Sequence, residues 1–315
     1  MTHLPAEVTV YEVGPRDGLQ NEQSVIATAV KTELITRLLD AGLPAVEVTS
    51  FVHPQRVPQL ADADEVCAVL ADRIAGQRMP VLVPNARGLT RALAAGAREV
   101  AVFLSATESF AQANLGTDLR GQFDMAGPVI AQARAAGLRV RGYVSMCWGD
   151  PWEGAVAPSA VAHVVQQLVD AGVHEVSLGD TIGVATAHEV TQLLRAVSAA
   201  AGGMDRLAVH FHDTYGQALA NVLAALDLGV TTVDSSVGGL GGCPFAKTAT
   251  GNLATEDLLW FLHRQGVRTG VNLDAVVDTT TWLSRVSALV PQSRAYIALA
   301  HTRQADDSQS EDARG

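Results

Sequence analysis

Short apolar runs alternate with longer amphipathic, alanine- and leucine-rich segments along most of the chain, and each run stops at glycine or polar residues. Runs of this length, rich in β-branched residues, read as strands at Val8–Val13, Ala45–Ser50, Met79–Val83, Glu99–Ser105, Arg139–Met146, Glu175–Gly179, Leu207–His212 and Thr232–Ser236. Between and after them the spacing predicts helices near Ala29–Ala41, Leu60–Ala75, Ala86–Ala95, Met125–Ala136, Ala160–Ala171, Ala187–Ala201, Gly216–Leu228 and Glu256–His263. Ala-Gly pairs at 41–42, 95–96, 136–137 and 171–172 look like helix C-caps, where glycine accepts a left-handed backbone. Eight such alternations predict parallel strands joined by crossover helices and closed into an α/β (β/α)8 TIM barrel, with an extra helical segment towards the C-terminus. An open doubly wound sheet would want a glycine-rich dinucleotide turn after its first strand, and Gly14-Pro15-Arg16-Asp17-Gly18 is not one. The expected organisation is one domain over residues 1–302 and an acidic tail, 303–315, expected to be disordered.

Composition narrows the functional classes. A chain of 315 residues, 48% hydrophobic and 17% charged, can bury a large single core. Its formal net charge of -11 argues against nucleic acid or an anionic membrane as a partner, because neutralising phosphates needs a basic surface. Cys67, Cys147 and Cys243 are too far apart for a metal finger, which fits free thiols in a reducing compartment. The first two read as small buried hydrophobes. The N-terminus offers no signal core or presequence pattern and no apolar run has membrane-spanning length, so the expected location is cytoplasmic.

A barrel places its chemistry at the C-terminal ends of the strands. In Leu207-Ala-Val-His210-Phe-His212 the two imidazoles lie two residues apart on a strand, share a face, and suit one divalent cation. Asp17 after the first strand and Asn252 after the last add oxygen donors from the same rim. Two imidazoles with oxygen partners and no thiolate point to an open site for Mg2+ or Mn2+, with Co2+ or Zn2+ as alternatives. Arg16, Glu47 in the second strand and Asp180 at the end of the sixth converge on that rim. A competing reading makes Glu47 and Asp180 structural ion-pair partners of Arg16 or Arg141. Cys243 sits among four glycines and a proline, in a loop able to close over a ligand and carry its thiol inwards.

Gly14-Pro-Arg-Asp-Gly-Leu-Gln-Asn-Glu, Ser177-Leu-Gly-Asp-Thr-Ile-Gly, His210-Phe-His-Asp-Thr-Tyr-Gly-Gln-Ala-Leu-Ala-Asn, Val237-Gly-Gly-Leu-Gly-Gly-Cys-Pro-Phe-Ala and Gly251-Asn-Leu-Ala-Thr-Glu-Asp together resemble the 3-hydroxy-3-methylglutaryl-coenzyme A lyase family. The resemblance runs in order from about Val8 to Gly270. It implies a metal-dependent TIM-barrel enzyme that cleaves (S)-3-hydroxy-3-methylglutaryl-CoA into acetyl-CoA and acetoacetate, as in leucine degradation. Carried over position by position, it implies Asp17, His210, His212 and Asn252 as metal ligands. Arg16, Glu47, Asp180, His210 and Cys243 become the catalytic set, with Arg16, Gln20, Ser50 and Ser177 at the substrate. It further implies a small-molecule acyl-CoA as the partner and a homodimer.

Cleavage of the C2–C3 bond of a tertiary alcohol requires loss of the hydroxyl proton and a home for negative charge on the departing thioester enolate. Asp180 is the first choice for the base, with Glu47 or His210 as alternatives. Arg16 would stabilise the enolate oxygen and Cys243 would protonate the carbanion. Gln23 stands where some members carry lysine, and no cysteine follows Cys243. Two relations of this reading stay in view: a lyase for a longer or substituted 3-hydroxyglutaryl-CoA, and a Claisen-condensing acyl-CoA synthase. A non-catalytic barrel that binds acyl-CoA or metal is the third.

Overall fold

The computed structural model of the chain describes residues 4–20, 22, 24–242, 251–287 and 289–302. Strands form at β1 (Thr9–Glu12), β2 (Ala45–Val46), β3 (Thr49–Ser50), β4 (Val81–Leu82), β5 (Glu99–Ser105), β6 (Arg139–Ser145), β7 (Gly149–Asp150), β8 (Gly154–Ala155), β9 (Glu175–Asp180), β10 (Leu207–Phe211) and β11 (Thr232–Ser235). Apart from the small antiparallel β7–β8 hairpin, they make one sheet in the order β2-β1-β11-β10-β9-β6-β5-β4-β3. Its strand pairs are parallel, as crossover helices require. β2 and β3 are successive pieces of one strand, so the sheet closes on itself with the eight strand positions expected of the barrel.

The expected strand in the second position is interrupted at Glu47 and Val48. Its two halves serve different neighbours: Glu47 N–H donates to Glu12 O of β1 (2.8 Å), while Val48 N–H donates to Pro80 O just before β4 (3.0 Å). Two helices also differ from expectation. Leu60–Ala75 becomes a short turn at Pro58–Leu60 and helices at Ala63–Val69 and Ala71–Ile74. Tertiary bonds hold the first part out of the helix: Gln59 caps Ile26 N–H (2.8 Å), and Asp62 receives Thr28 Oγ1 and Lys31 Nζ (both 2.8 Å). The helix expected from Met125 starts at Leu119, where Asp118 accepts Gly121 N–H at 2.6 Å. Gly121, Gly127 and Pro128 conceal this first part in the sequence pattern.

The remaining helices follow the pattern, at Thr28–Asp40, Ala86–Ala94, Pro158–Ala171, Ala187–Ala201, Ala218–Asp227 and Thr255–Arg264. The four anticipated cap glycines, Gly42, Gly96, Gly137 and Gly172, have φ of +94°, +80°, +77° and +96°. Leu273–Ser287 and a helix over 294–302 form the extra C-terminal segment. Among the described residues no helix is long and apolar enough to cross a membrane.

The apolar core lies mainly between sheet and helices, through Val10, Val140, Val176, Leu178, Val209 and Val233. The alternate residues, which face the barrel interior, are unusually polar: Glu47, Arg141, Glu175, Ser177 and Asp234 are all buried. Cys67 and Cys147 are buried free thiols, as expected, and burial pushes the Cys67 thiol up to about 12.

Candidate active site

β1 ends in a wide helical turn, Gly14–Gly18, where Gly18 N–H reaches back to Val13 O at 3.2 Å. The turn presents Arg16 and Asp17 to the rim. Two strands along the sheet, β10 delivers His210, and His212 follows directly after it, with ring centroids 5.3 Å apart. One ligand atom from each of Asp17, His210 and His212 lies within 4.8 Å of the others.

Asn252 joins them through backbone. The segment 251–254 is sewn between the ends of β10 and β11: Asp213 N–H donates to Gly251 O, Leu253 N–H to Phe211 O, and Ser236 N–H to Leu253 O. Close approach sets the residue types here. A Cβ on Gly251 would fall 1.9 Å from Gly239 O, and one on Gly241, whose φ is +102°, would fall 2.6 Å from Asn252 Nδ2. Asn252 Nδ2 donates to Asp17 Oδ2 (2.9 Å) and to Leu240 O (3.0 Å). That leaves Asn252 Oδ1 buried without a hydrogen-bond partner among the described residues, as are His210 Nδ1 and His212 Nδ1. Such orphaned buried acceptors are costly in a finished interior, and together with the Asp17 carboxylate they fit a cation.

The electrostatics favour the same use. Burial opposes charge on Asp17, but Arg16, then His210, His212 and the Asn252 amide, outweigh it and hold the carboxyl at about 2. Burial, helped by His210, pushes His212 down to about 3, so the ring is neutral with a lone pair to give. Arg16 Nε donates to Glu47 Oε1 at 2.7 Å and Nη1 to Asp17 Oδ1 at 2.5 Å. Burial works against the Arg16 charge, yet Glu47 and Asp17 overcome it and fix the guanidinium as a cation.

The other expected residues fall into place unevenly. Glu47 is fully buried between Arg16 and the Tyr143 hydroxyl, which donates to Oε2. Asp180 pairs with neither Arg16 nor Arg141. Its two oxygens accept Val184 N–H and Ala185 N–H (both 3.0 Å), and burial raises the carboxyl to about 6 against those bonds. Ser50 is buried on β3, its hydroxyl without a partner among the described residues. Ser177, on β9, donates to Asp234 Oδ2 at 2.9 Å. Gln20 is half-buried just beyond the Arg16–Asp17 turn. Cys243 lies outside the described residues, as does Gln23.

Two residues at this site escaped the sequence reading, Tyr143 and Asp234. Arg141, fully buried, donates to both of them, to Tyr143 Oη at 2.8 Å and Asp234 Oδ1 at 2.6 Å, and to Glu175 Oε1 at 2.8 Å. The available signal was the two-residue alternation itself, which puts Arg141 and Tyr143 on one face of the strand.

Residues 7–283 match the family model described as HMGL-like. The chain is 51% identical over 278 residues to the mitochondrial hydroxymethylglutaryl-CoA lyase of Rattus norvegicus, covering 88% of this chain and 85% of that one. It is 49% identical over 305 residues to the Arabidopsis thaliana counterpart, covering 97% of this chain but spanning 65% of that relative's length. Among solved structures, hydroxymethylglutaryl-CoA lyase from Pseudomonas aeruginosa superposes with a TM-score of 0.89 at 46% identity, covering 95% of this chain and 99% of that one. An HMG-CoA lyase from Acinetobacter baumannii, in complex with coenzyme A and 3-methylmalate, gives 0.85 at 33% identity, covering 93% and 95%.

Proposed function

The chain belongs to the HMGL-like family, matching its hydroxymethylglutaryl-CoA lyases along most of its length, and from that premise we propose a carbon–carbon lyase that cleaves 3-hydroxy-3-methylglutaryl-CoA into acetyl-CoA and acetoacetate. The observation that carries the proposal is the convergence of Asp17, His210 and His212 beside a fixed, charged Arg16. Asp17, His210, His212 and Asn252 would hold one divalent cation, Mg2+ or Mn2+ by their mixed nitrogen and oxygen donors, with Co2+ or Zn2+ also compatible. Bound there, the cation supplies Lewis acidity that eases deprotonation of a substrate hydroxyl.

The chain's own residues do the rest. Glu47 and Asp17 hold the Arg16 guanidinium in one orientation before substrate arrives, which suits it to the oxygen on which enolate charge grows. Asp180, lifted to about 6, has a basicity matched to accepting a proton near neutral pH; its oxygens meet only the neutral Val184 and Ala185 N–H groups, whereas Glu47 is bonded to the Arg16 cation as well as to the Tyr143 hydroxyl. We assign the base to Asp180 and an orienting role to Glu47. The orphaned Ser50 hydroxyl is a ready donor for the acyl group, and the Cys243 thiol would return a proton to the acetyl-CoA carbanion.

The substrate class is supported by coenzyme A in the Acinetobacter relative. Incubating metal-loaded enzyme with a series of 3-hydroxy-3-alkylglutaryl thioesters, and identifying products by mass spectrometry, tests both the reaction and the acyl chain. Acetyl-CoA with acetoacetate from the methyl substrate is expected; no acetyl-CoA from any member would refute the assignment. A cytoplasmic homodimer is part of the proposal. Exposed Trp260, Val286 and Ile297 on the C-terminal helices support a subunit contact, and sedimentation of the purified chain tests it.

A further inference from the structure

The two imidazoles of the site are not equivalent. Among the described residues neither Nδ1 has a hydrogen-bond partner, but His210 Nδ1 lies 3.3 Å from Asp234 Oδ2. That approach follows from the fold: β10 and β11 pair in parallel with His210 opposite Asp234, and both side chains face the barrel interior. No described group meets stricter hydrogen-bond geometry at His210 Nδ1, so the Asp234 oxygen is the acceptor the ring can turn towards. Bonds of this kind tend to be long before ligands arrive and to tighten afterwards.

Asp234 itself cannot move. Arg141 grips it with Nη2 on Oδ1 (2.6 Å) and Nη1 on Oδ2 (3.1 Å), Ser177 Oγ donates to Oδ2 (2.9 Å), and its side chain has no solvent exposure. Arg141 is braced in turn by Glu175 Oε1 at 2.8 Å, and through Tyr143 it reaches Glu47, Arg16 and Asp17. One buried guanidinium thus anchors both the histidine and the carboxylate of the metal site.

We propose that Asp234 is a positioning residue: held by Arg141, it accepts a hydrogen bond from His210 Nδ1–H, so that Nε2 would be presented unprotonated to a cation. A carboxylate behind a ligating histidine fixes the ring's orientation and tautomer and raises its basicity, and losing it typically weakens metal affinity about 10- to 100-fold. The inference rests on the metal reading above.

Two substitutions separate positioning from mere stability. Asp234→Asn and Glu175→Gln each take a carboxylate from Arg141, but only the first touches His210. Metal-free full-length protein is titrated with Mn2+, following free Mn2+ by electron paramagnetic resonance. Asp234→Asn should bind Mn2+ about 10- to 100-fold more weakly, while Glu175→Gln stays within about threefold of the parent. Equal losses in both variants, or undiminished binding in Asp234→Asn, overturns the inference and leaves the metal reading standing. No Mn2+ binding by the parent overturns both. Because Asp234→Asn can fail to fold, the parent itself supplies a second measurement. In 15N-imidazole-labelled metal-free protein, with His210 assigned by comparison with His210→Gln, the ring should be the Nδ1–H tautomer. An Nε2–H tautomer refutes the inference.

Discussion

Replacing Glu12 by glutamine should change how stability depends on pH, and the structure fixes both sign and size. Glu12 is fully buried, and among the described residues no cation bonds to it. Its Oε1 accepts Gly14 N–H (2.7 Å) and Val237 N–H (2.9 Å), and Oε2 accepts Thr255 Oγ1–H (2.6 Å). Burial raises the carboxyl from 4.5 to about 7, with those three bonds pulling the other way. The folded state therefore holds a proton that the unfolded chain has released over that interval. The group's contribution to stability is full below about 4.5 and is lost as pH rises through about 7. The rise corresponds to about 3 kcal/mol between the two protonation states. Glutamine keeps the shape and one acceptor, and the Thr255 hydroxyl can turn to accept from the new amide. Urea unfolding of parent and Glu12→Gln at pH 5, 6, 7 and 8 is the assay, read as the difference between them so that other titrations cancel. The variant should gain on the parent by about 2.5 kcal/mol between pH 5 and 8, the rest of the change lying below pH 5. A constant difference across that range, or one moving the other way, would show that Glu12 is ionised in the fold at pH 5.

Three further outcomes concern the site. Cys243→Ala should keep Mn2+ affinity and lose about 100-fold or more in turnover, as removal of a general acid does; near-normal turnover would rule the thiol out. Arg16→Lys keeps a charge but breaks the two-armed hold on Glu47 and Asp17, and should lower kcat by about 100- to 1,000-fold with little change in KM. An effect confined to KM would count against the enolate role. Gly251→Ala puts a carbon 1.9 Å from Gly239 O, so the segment carrying Asn252 must shift. Weaker Mn2+ binding in titration calorimetry is expected, and unchanged binding would remove Asn252 from the ligand set.

The barrel was legible because its strands and helices are short, regular and punctuated, and because cap glycines at 42, 96, 137 and 172 mark the helix ends. The His210–His212 pair was legible for the same reason: strand periodicity alone puts both rings on one face. The break at Glu47–Val48 was not, since it arises from β1 and β4 competing for one strand, a tertiary matter. Nor was Asp234, the lone acid of the short strand Thr232–Ser235, whose meaning depends on which residue stands opposite. That pairing, His210 with Asp234, is a register fact. Asp180 read as a proton carrier and, in the fold, also ties down the 184–185 turn, a bond no spacing announces.

The site draws Asp17 from the first strand's end and Asn252 from beyond the last, 235 residues away, across the β1–β11 pairing that shuts the ring. On the ribosome, the aspartate must wait for almost the whole catalytic chain before its partners exist. If Asp17, His210, His212 and Asn252 hold the ion as proposed, full binding would require a chain made through Asn252 and a closed ring, since no shorter nascent chain contains the set. Once the ion is bound, its free energy falls on that seam, about 2.7 kcal/mol at a hundredfold excess over Kd.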